Sequence, residues 1–341
     1  MKQLKRHTEK KISPELRAFA LTLNFYSAAA YKYVRQVFNN CLPHPSTLRK
    51  WYAVINGSPG FTKESMNALE IKVAKMKLKN KILVCGMMMD KVSIKQGTHF
   101  NGTRNQGYIS LGTGINDDTD SLPLAKEALV IMLVAINSNW KIPISYFLLN
   151  GLSGEKKANL IKTALTIVHD TDVLVKTLTF DGAASNISMA TSLGAKLYSP
   201  DVKTYFLHPI TNEKIFIFLD PCHMLKLCRN TLGDWQTLYD KDGQEIKWDL
   251  FKQLVILQEN AELHLATKIR SRHINFFKEK MKVKLAAQTL SESVAKALTY
   301  CSEQNFSNFQ NTNATSEFCK KINDIFDILN TRNFLGKTQF K

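Results

Sequence analysis

The sequence has 341 residues, and 44% of them are hydrophobic, a share typical of globular proteins and too high for an intrinsically disordered chain. This length predicts about two domains. No run of about 18 apolar residues occurs, so the sequence predicts no membrane span. The basic, polar start MKQLKRHTEKK is not followed by the apolar segment that a signal peptide requires.

The sequence carries a large excess of positive charge. Its 46 Lys and Arg residues against 29 Asp and Glu residues give a formal net charge of +17 and an isoelectric point near 9.5. A basic surface attracts polyanions and speeds the encounter with them, which makes nucleic acid the simplest partner. A merely soluble basic protein is the alternative that charge alone leaves open.

The cysteines follow no metal-binding pattern. They are Cys41, Cys85, Cys222, Cys228, Cys301 and Cys319. No CxxC pair occurs, and no set of Cys and His residues has zinc-finger spacing. Cys222, His223 and Cys228 lie close together in sequence but are one ligand short of a structural zinc site. We expect reduced cysteines, as in a cytosolic or nuclear protein.

The first part of the chain is predicted to be helical. Residues 1–12 form a basic, loosely ordered lead, and residues 13–79 a helical unit that Ser13 and Pro14 begin as N-cap and first helical residue. Short helices around a proline-containing turn are typical of helix-turn-helix DNA-binding proteins. They suit a plain packing module equally well, and no side chain in this unit can be tied to a base.

From residue 82 onwards, apolar runs alternate with helical patterns. Strands are predicted at ILVCGMMMDKVSIK (82–95), YISLG (108–112), EALVIMLVAINS (127–138), VLVKTLTF (173–180) and KIFIFLD (214–220), with helices at 155–169 and 185–193. The first three strands form an antiparallel meander, and the later ones arrive through helical crossovers. The sequence therefore predicts an α/β fold with a mixed sheet. This is the strand order of the ribonuclease H fold, an analogy rather than a proof.

Two aspartates lie on strands that this order makes neighbours. Asp90 interrupts the first strand, and Asp181 ends the fourth. Two ionised carboxylates repel each other unless a divalent cation such as Mg²⁺ binds between them, and such a site suits phosphodiester chemistry. The alternatives stay open. An aspartate before a glycine is more often a turn former or helix cap, and Asp90 can face solvent or pair with Lys91 or Lys95.

The last predicted strand is followed by a helix. Asp220, directly before Pro221, is predicted to be the N-cap of PCHMLKLCRN (221–230), and His223 on that helix is more often a structural histidine than a ligand. Beyond residue 230 the sequence predicts helices at about 247–268, 270–280, 291–303 and 315–330.

Six segments of the sequence, in chain order, resemble segments of the P-element transposase family. They are SPELRAFALTLNFYSAAAYKYVRQVFNNCLPHPSTLRKWY, MMMDKVSIK, LTFDGAASNISMATSLGAK, FLDPCHMLKLCRN, KVKLAAQTLSESVAKAL and FDILNTRN. The resemblance implies a helix-turn-helix unit at 13–79, an incomplete RNase H-like catalytic domain at 80–230, and a truncated helical GTP-binding insertion at 231–341. The family also has a zinc-coordinating DNA-binding domain first, which we do not find ahead of residue 13.

The resemblance implies a catalytic site as well. The family acts on DNA ends with Mg²⁺ held by two Asp and one Glu, and the two Asp positions match Asp90 and Asp181. Lys91 stands where the family usually has an acidic residue, and it adds positive charge beside the site. The family's Glu follows the insertion, so no residue of this sequence is assigned to it.

The resemblance further implies a GTP site. The matching positions are Lys268, Val283, Asp327 and Asn330. Their chemistry suits the ligand, because a carboxylate accepts hydrogen bonds from guanine N1–H and N2–H₂, a carboxamide reaches the purine edge, and an ammonium binds phosphate. Without the resemblance, Asp327 and Asn330 would be taken as ordinary polar residues on a helix surface.

Two functions remain in competition at this stage. The first is a nuclear P-element-type DNA transposase, or a truncated piece of one, that cleaves and joins DNA with Mg²⁺ and uses GTP as an assembly cofactor. It would bind transposon ends and target DNA and would form homo-oligomers, as the full-length family does. The alternative is a domesticated, non-catalytic DNA-binding or regulatory protein that keeps the fold and the basic surface.

Overall fold

The computed structural model of the protein describes residues 12–53, 56–100, 102, 105–112, 122–198, 200–261, 265 and 267–330. Residues 1–11 of the predicted basic lead lie outside this range. The helices are α1 (Pro14–Tyr26), α2 (Ala28–Val37), α3 (Pro45–Tyr52), α4 (Lys63–Lys77), α5 (Gly154–His169), α6 (Ala184–Leu193), α7 (Pro221–Trp235), α8 (Asp249–Asn260), α9 (Ser271–Ile274), α10 (Val283–Thr289), α11 (Glu292–Glu303) and α12 (Asn313–Asn330). The strands are β1 (Gly60–Phe61), β2 (Val84–Ser93), β3 (His99–Phe100), β4 (Asn105–Gln106), β5 (Glu127–Ala135), β6 (Lys141–Leu149), β7 (Leu174–Phe180), β8 (Tyr205–Leu207), β9 (Lys214–Leu219), β10 (Thr237–Tyr239) and β11 (Glu245–Lys247).

The first three helices have a small core of their own. The side chain of Ser13 caps α1 by accepting from the Leu16 backbone N–H at 3.2 Å, and Ser27 caps α2 in the same way. The buried members of this core are Ala20, Tyr31, Leu42 and Leu48. Helix α4, which the sequence grouped with these helices, instead contributes Leu69 and Val73 to the core beneath the sheet. It therefore packs with the sheet rather than with α1–α3.

Seven strands of the described residues form one mixed sheet in the order β1-β6-β5-β2-β7-β9-β8. Strands β2, β5 and β6 form an antiparallel meander. Strands β7 and β9 follow through helices α5 and α6 and run parallel to β2. The predicted α/β fold with a mixed sheet is confirmed. Helix α5 leads into β7, which is parallel to β2, and helix α6 leads into β8, which is antiparallel to β9.

The membership of the meander differs from the prediction. YISLG was expected to be its second strand, but among the described residues it makes only isolated bridges, such as the one between Ser110 and Leu148. The third strand of the meander is instead β6 (KIPISYFLL), which the sequence did not predict. It carries Pro143, opposite Met132 where the pairing with β5 changes register, and proline in an apolar run argues against a regular strand.

Side chains on β2 alternate between two different environments. Cys85, Met87 and Met89 are fully or almost fully buried in the core that α4, α5 and α6 cover. Met88 and Asp90 lie on the opposite face and are exposed. On that face Gly86 approaches β7 so closely that an added Cβ would lie 2.6 Å from the Thr177 Oγ1 atom. Only one face of β2 is therefore deeply buried, although the run is continuously apolar in sequence.

The C-terminal helices surround a second core. Its largest fully buried side chains are Trp248, Phe251 and Phe276. Helix α8, predicted to run to about residue 268, ends at Asn260, and the helix predicted at 270–280 consists of α9 and a 3₁₀ turn at Phe276–Glu279. Within the described part of the chain, we find no helix that combines the length and apolarity needed to cross a membrane.

Candidate active site and nucleotide-binding region

The pairing of β2 with β7 brings Asp90 and Asp181 to neighbouring positions. Met88 pairs with Thr179 in parallel register, and two further residues along each chain reach Asp90 and Asp181. Asp90 lies on the face that carries Met88, and Asp181 lies just beyond the last residue of β7, with its Oδ1 atom turned to Asn186 of α6. Because neighbouring strands lie about 4.8 Å apart, two carboxylates at such positions are within reach of one cation.

Asp181 is the half-buried residue that follows β7 directly. Its Oδ1 atom accepts two hydrogen bonds, from the Ala183 backbone N–H at 3.0 Å and from the Asn186 Nδ2 atom at 2.6 Å. Asp181 thus shapes the turn into α6, although the N-cap position of that helix belongs to Ala183. Both hydrogen bonds use the same oxygen, so the turn-forming role and a role as metal ligand are compatible.

Asp90 has a different environment. It is exposed, and its Oδ1 atom accepts from the backbone N–H of Lys91 at 2.7 Å. The ammonium group of Lys91 does not pair with Asp90 but with Glu127, with 2.7 Å between Nζ and Oε1. Because Lys91 follows Asp90 in the strand, its side chain points to the other face of the sheet. The positive charge of Lys91 is therefore partly balanced by Glu127 and leaves the Asp90 carboxylate without an ammonium partner among the described residues.

Asp220 is a third carboxylate at this edge of the sheet. Its backbone N–H donates to the Phe180 carbonyl oxygen at 2.9 Å, which places it beside the end of β7. Its Oδ1 accepts from the Cys222 backbone N–H at 2.9 Å, so the predicted N-cap of α7 is confirmed, while its Oδ2 contacts Nδ1 of His223. Sequence reasoning missed its position beside Asp181. The sequence did contain a signal for this position. Asp220 directly follows β9, which is parallel to β7, and the carboxyl ends of parallel strands lie at the same edge of a sheet.

Helix α7 packs on the loop that follows Asp181. A Cβ added to Gly182 would lie 2.8 Å from the Cε atom of Met224 and 3.8 Å from the Cδ1 atom of Leu227. His223 precedes Met224, and residues 220, 223, 224 and 227 share one stripe of a helix. The Asp220–His223 pair therefore lies on the side of α7 that faces the candidate site.

The donor set suits magnesium in part. Within the residues that the structure describes, no group of three or more His, Cys, Asp or Glu side chains is arranged to hold a metal ion. Asp90 and Asp181 provide two carboxylates, and in the same residues the Asp181 Oδ2 atom accepts no hydrogen bond. Mg²⁺ commonly keeps several waters and binds one or two carboxylates together with substrate phosphates. The two aspartates fit such a site as its protein ligands.

The four residues expected at GTP lie on separate elements of the C-terminal part. Lys268 is exposed in the segment after α8, and Val283 is the half-buried first residue of α10. Asp327 and Asn330 are exposed in the last turn of α12, one turn apart on the same side. Among the described residues no hydrogen bond or ion pair joins any two of the four. Their chemistry fits a guanine nucleotide, but no contact brings them together.

One further residue orients Asp327. The Nδ2 atom of Asn323 donates to the Asp327 Oδ2 atom at 3.0 Å, and the Asn323 Oδ1 atom accepts from the Glu292 backbone N–H at 3.2 Å. Asn323 thus ties the end of α12 to the start of α11. The other carboxylate oxygen of Asp327 remains exposed to an incoming ligand, and sequence reasoning had not singled out Asn323.

Three family models match consecutive parts of the chain. Residues 1–51 match the helix-turn-helix domain of transposable element P transposase-like proteins, residues 57–194 match the TNP-like RNase H N-terminal domain, and residues 222–341 match the TNP-like GTP-binding insertion domain. The RNase H match includes α4, which packs on the sheet core. The insertion match begins inside α7, whereas we expected the insertion to begin near Thr231.

Two curated relatives and one solved structure are similar to the chain. Human DNA transposase THAP9 is 34% identical over 328 residues, which are 95% of this chain and 36% of the relative. The Drosophila melanogaster protein Transposable element P transposase is 28% identical over 199 residues, 58% of this chain and 25% of the relative. The Drosophila P element transposase strand transfer complex has a TM-score of 0.75 at 21% identity and covers 97% of this chain and 70% of that chain.

The fold and these matches define a class, the DNA transposase-like proteins in which an RNase H-like sheet is joined to a GTP-binding insertion domain. Within that class, the chain belongs to the P-element transposase family. The RNase H-like fold expected from the strand order and the family resemblance are both confirmed. The chain spans little more than a third of the length of the human relative and a quarter of the Drosophila one.

Proposed function

We propose that the protein acts as a P-element-type DNA transposase, cleaving DNA phosphodiesters and transferring strands with Asp90 and Asp181 as its magnesium ligands. The observation that supports this proposal is the parallel register of β2 and β7, because two residues beyond the Met88–Thr179 pair it sets Asp90 opposite Asp181. The family membership supports the same reaction class. The third carboxylate of the family's catalytic set is not assigned to any residue.

Each residue at the site has a definite part in this proposal. Asp90 offers an exposed carboxylate from the middle of the sheet, and Asp181 offers Oδ2 while its Oδ1 is held by the turn into α6. The two carboxylates would hold magnesium, which would supply activation of the attacking oxygen and stabilisation of the leaving oxygen. The net charge of +17 draws the DNA backbone to the protein, so we also propose transposon ends and target DNA as partners and the nucleus as the place of action.

We propose GTP as an assembly cofactor that binds at Lys268, Val283, Asp327 and Asn330. The matched GTP-binding insertion domain supports the ligand, and the exposed acceptor of Asp327 beside Asn330 supports guanine recognition. In this proposal the nucleotide itself joins the end of α12 to the start of α10 and to Lys268. Homo-oligomerisation of the DNA-bound protein belongs to the same proposal.

The metal assignment is tested with Asp90→Asn and Asp181→Asn. We expect each substitution to weaken binding of Mn²⁺, used as a probe for Mg²⁺, by more than about tenfold, because even residues behind a ligand contribute that much. Titration calorimetry measures the affinity, and cleavage of terminal-repeat DNA measures the consequence. The matched control is Asp242→Asn in the exposed β10–β11 turn, which should leave both unchanged. Undiminished Mn²⁺ binding in the Asp181 variant would refute the assignment.

A second function is favoured by one specific observation. A lysine, Lys91, directly follows Asp90 and pairs with Glu127, and no third ligand completes the site among the described residues. A domesticated DNA-binding or regulatory protein would bind DNA in a salt-dependent way without needing either aspartate. Wild-type protein that binds DNA, and binds no more Mn²⁺ than its Asp90→Asn and Asp181→Asn variants, would establish this alternative.

A further inference from the structure

A buried lysine lies behind the candidate metal site. Lys157, in the first half of α5, has only 4% of its surface exposed. Its Nζ atom donates to the Ser185 Oγ atom at 2.8 Å and to the Asn186 Oδ1 atom at 2.7 Å. Both acceptors are neutral, and no carboxylate within the described residues forms an ion pair with Lys157. Burying an ammonium without a charged partner is costly, so this lysine calls for an explanation beyond packing.

Asn186 connects the lysine to the catalytic aspartate. Its Nδ2 atom donates to the Asp181 Oδ1 atom at 2.6 Å, and Asn186 is itself buried, with 4% exposed. An ammonium can only donate hydrogen bonds, so Asn186 must turn its oxygen to Lys157 and its NH₂ group to Asp181. With the amide reversed, two donors would face each other at one end and two acceptors at the other.

The charges around the lysine agree with this connection. Burial lowers the pKa of Lys157, the positive charge of Lys91 acts in the same direction, and the negative charges of Asp181 and Glu127 oppose both. Asp181 and Glu127 are therefore the counter-charges of Lys157, and Asp181 is reached through one amide instead of by direct contact. The three residues come from α5, α6 and the end of β7, so the chain of hydrogen bonds also fixes these elements to one another.

We propose that Lys157 is a positioning residue for Asp181, acting through Asn186 to hold the Oδ1 atom of the carboxylate on the α6 side and keep Oδ2 free for the metal. This inference rests on the proposed function for its metal, but the hydrogen-bond relay exists whether or not a metal binds. A lysine that only tied α5 to α6 would affect stability and leave metal affinity unchanged. The two roles are therefore separable by measurement.

The test is a double-mutant cycle with Lys157→Met and Asn186→Ala, read out as Mn²⁺ affinity and as the thermal unfolding midpoint. We expect each single variant to lose about tenfold to hundredfold in Mn²⁺ affinity, the range for residues that orient metal ligands. The double variant should lose no more than the weaker-binding single variant, because both remove one relay. Lys156→Met, on the exposed side of the same turn, is the matched control and should bind Mn²⁺ like wild type.

A second variant covers the case in which Lys157→Met does not fold. Lys157→Gln keeps an N–H donor for Asn186 without the charge, and we expect it to retain Mn²⁺ affinity better than Lys157→Met or, if that variant is unfolded, better than Asn186→Ala. A folded Lys157→Met variant with wild-type Mn²⁺ affinity would overturn the positioning role. So would a Lys157→Gln variant that binds Mn²⁺ no better than Asn186→Ala, or additive losses in the cycle.

A metal-independent readout separates this inference from the proposed function. The side-chain amide signals of Asn186, observed by ¹⁵N–¹H NMR without metal, should shift in Lys157→Gln and stay unchanged in Lys156→Met. If wild-type protein binds no Mn²⁺ but these signals depend on Lys157, the proposed function fails while the relay stands. If the Asn186 amide signals do not shift in Lys157→Gln, the hydrogen-bond relay itself is refuted.

Discussion

The two aspartates at the candidate site differ in how firmly they are held. Asp181 is half-buried, and its Oδ1 atom is fixed by a backbone N–H and by the Asn186 amide. Asp90 is exposed, and the only hydrogen bond that its carboxylate accepts within the described residues comes from the next N–H of its own strand. A metal site built this way has one ligand set in advance and one that adjusts when the cation and the DNA phosphate arrive.

At the scale of single residues, Asp327 is the residue that we expect to distinguish guanine from adenine in the proposed GTP site. Asp327→Ala removes an acceptor for two guanine N–H groups, and hydrogen bonds to a charged group contribute about 1.5–3 kcal/mol. We therefore expect GTP affinity to fall by roughly tenfold to hundredfold and ATP affinity to stay the same. Titration calorimetry with both nucleotides measures this, with Asp324→Ala on an exposed position of α12 as the control. Equal GTP affinity in wild type and Asp327→Ala would refute the guanine contact.

We expect a buried histidine to make the stability of the sheet domain depend on pH. His208, 6% exposed, accepts from the backbone N–H groups of Ile210 and Thr211 at 3.2 and 3.3 Å and so shapes the turn from β8 to β9. Burial lowers the pKa of His208 and nearby His169 adds to this, while a hydrogen bond with the Leu165 backbone and the charge of Glu213 oppose it. With the folded-state pKa below the unfolded one, the unfolded chain takes up the proton first, and stability falls as pH falls.

We expect the urea midpoint of wild-type protein to fall between about pH 7 and pH 5 more steeply than that of His208→Asn. Asparagine keeps an acceptor for the turn and removes the titrating ring. His99→Asn, at an exposed position, serves as the control and should follow the wild-type curve. Parallel pH curves for wild type and His208→Asn would show that this ring does not carry the effect.

At the scale of elements, the contact between α5 and α6 is the one on which the site depends. Gly154 begins α5 so close to α6 that an added Cβ would lie 2.7 Å from the Met189 backbone nitrogen and would also meet Ser188. The backbone atom cannot move aside cheaply, so Gly154→Ala should separate the helices and cost about 1–3 kcal/mol in free energy of unfolding.

Gly97→Ala is the matched control, because nothing lies within 4 Å of the Cβ it would add. Urea unfolding of both variants gives the comparison. Because α5 carries Lys157 and α6 carries Asn186, the Gly154 variant should also bind Mn²⁺ more weakly. A Gly154 variant as stable as the Gly97 variant would mean that the two helices repack without loss.

The sequence predicts the helices and strands that have an uninterrupted apolar periodicity and misses those in which that periodicity is interrupted. The helices α5 and α6 and the strands β2, β7 and β9 have long apolar periodicities, and all are found close to their expected bounds. Strand β6 was missed because Pro143 interrupts its apolar alternation, although the register change opposite Met132 accommodates the proline. Helix α8 stops at Asn260 before its predicted end, since the apolar pattern alone gives no firm boundary there.

Only the residues of the candidate site that lie in or directly after predicted strands could be found from the sequence. Asp90 and Asp181 each interrupt or end an apolar run, which local reading detects. Asn186 and Lys157 lie on different helices, and their relation depends on how α5 packs against α6. One signal was available: Lys157 lies four and eight residues before Ile161 and Leu165, so it shares the apolar stripe of α5, where a lysine needs a partner.

At the scale of the whole molecule, the sheet and the C-terminal helices have separate hydrophobic cores that meet through α7. The N-cap of this helix, Asp220, lies at the edge of the sheet, and Leu232 in its last turn lies in the second core. Met224 packs on the loop after Asp181, whereas Arg229 stacks on Phe276 at 4.2 Å. A movement of α7 would therefore reach the loop after Asp181 through Met224.

The central claim is that the carboxylates of Asp90 and Asp181 bind the same divalent cation. The most direct measurement is anomalous diffraction at the manganese edge from crystals of the protein grown with Mn²⁺ and a DNA end. We expect an anomalous peak between the two side chains, at about 2.0–2.3 Å from an oxygen of each, distances close to those for Mg²⁺. A cation bound by only one of them, or carboxylates that stay on opposite faces of the sheet, would contradict the account.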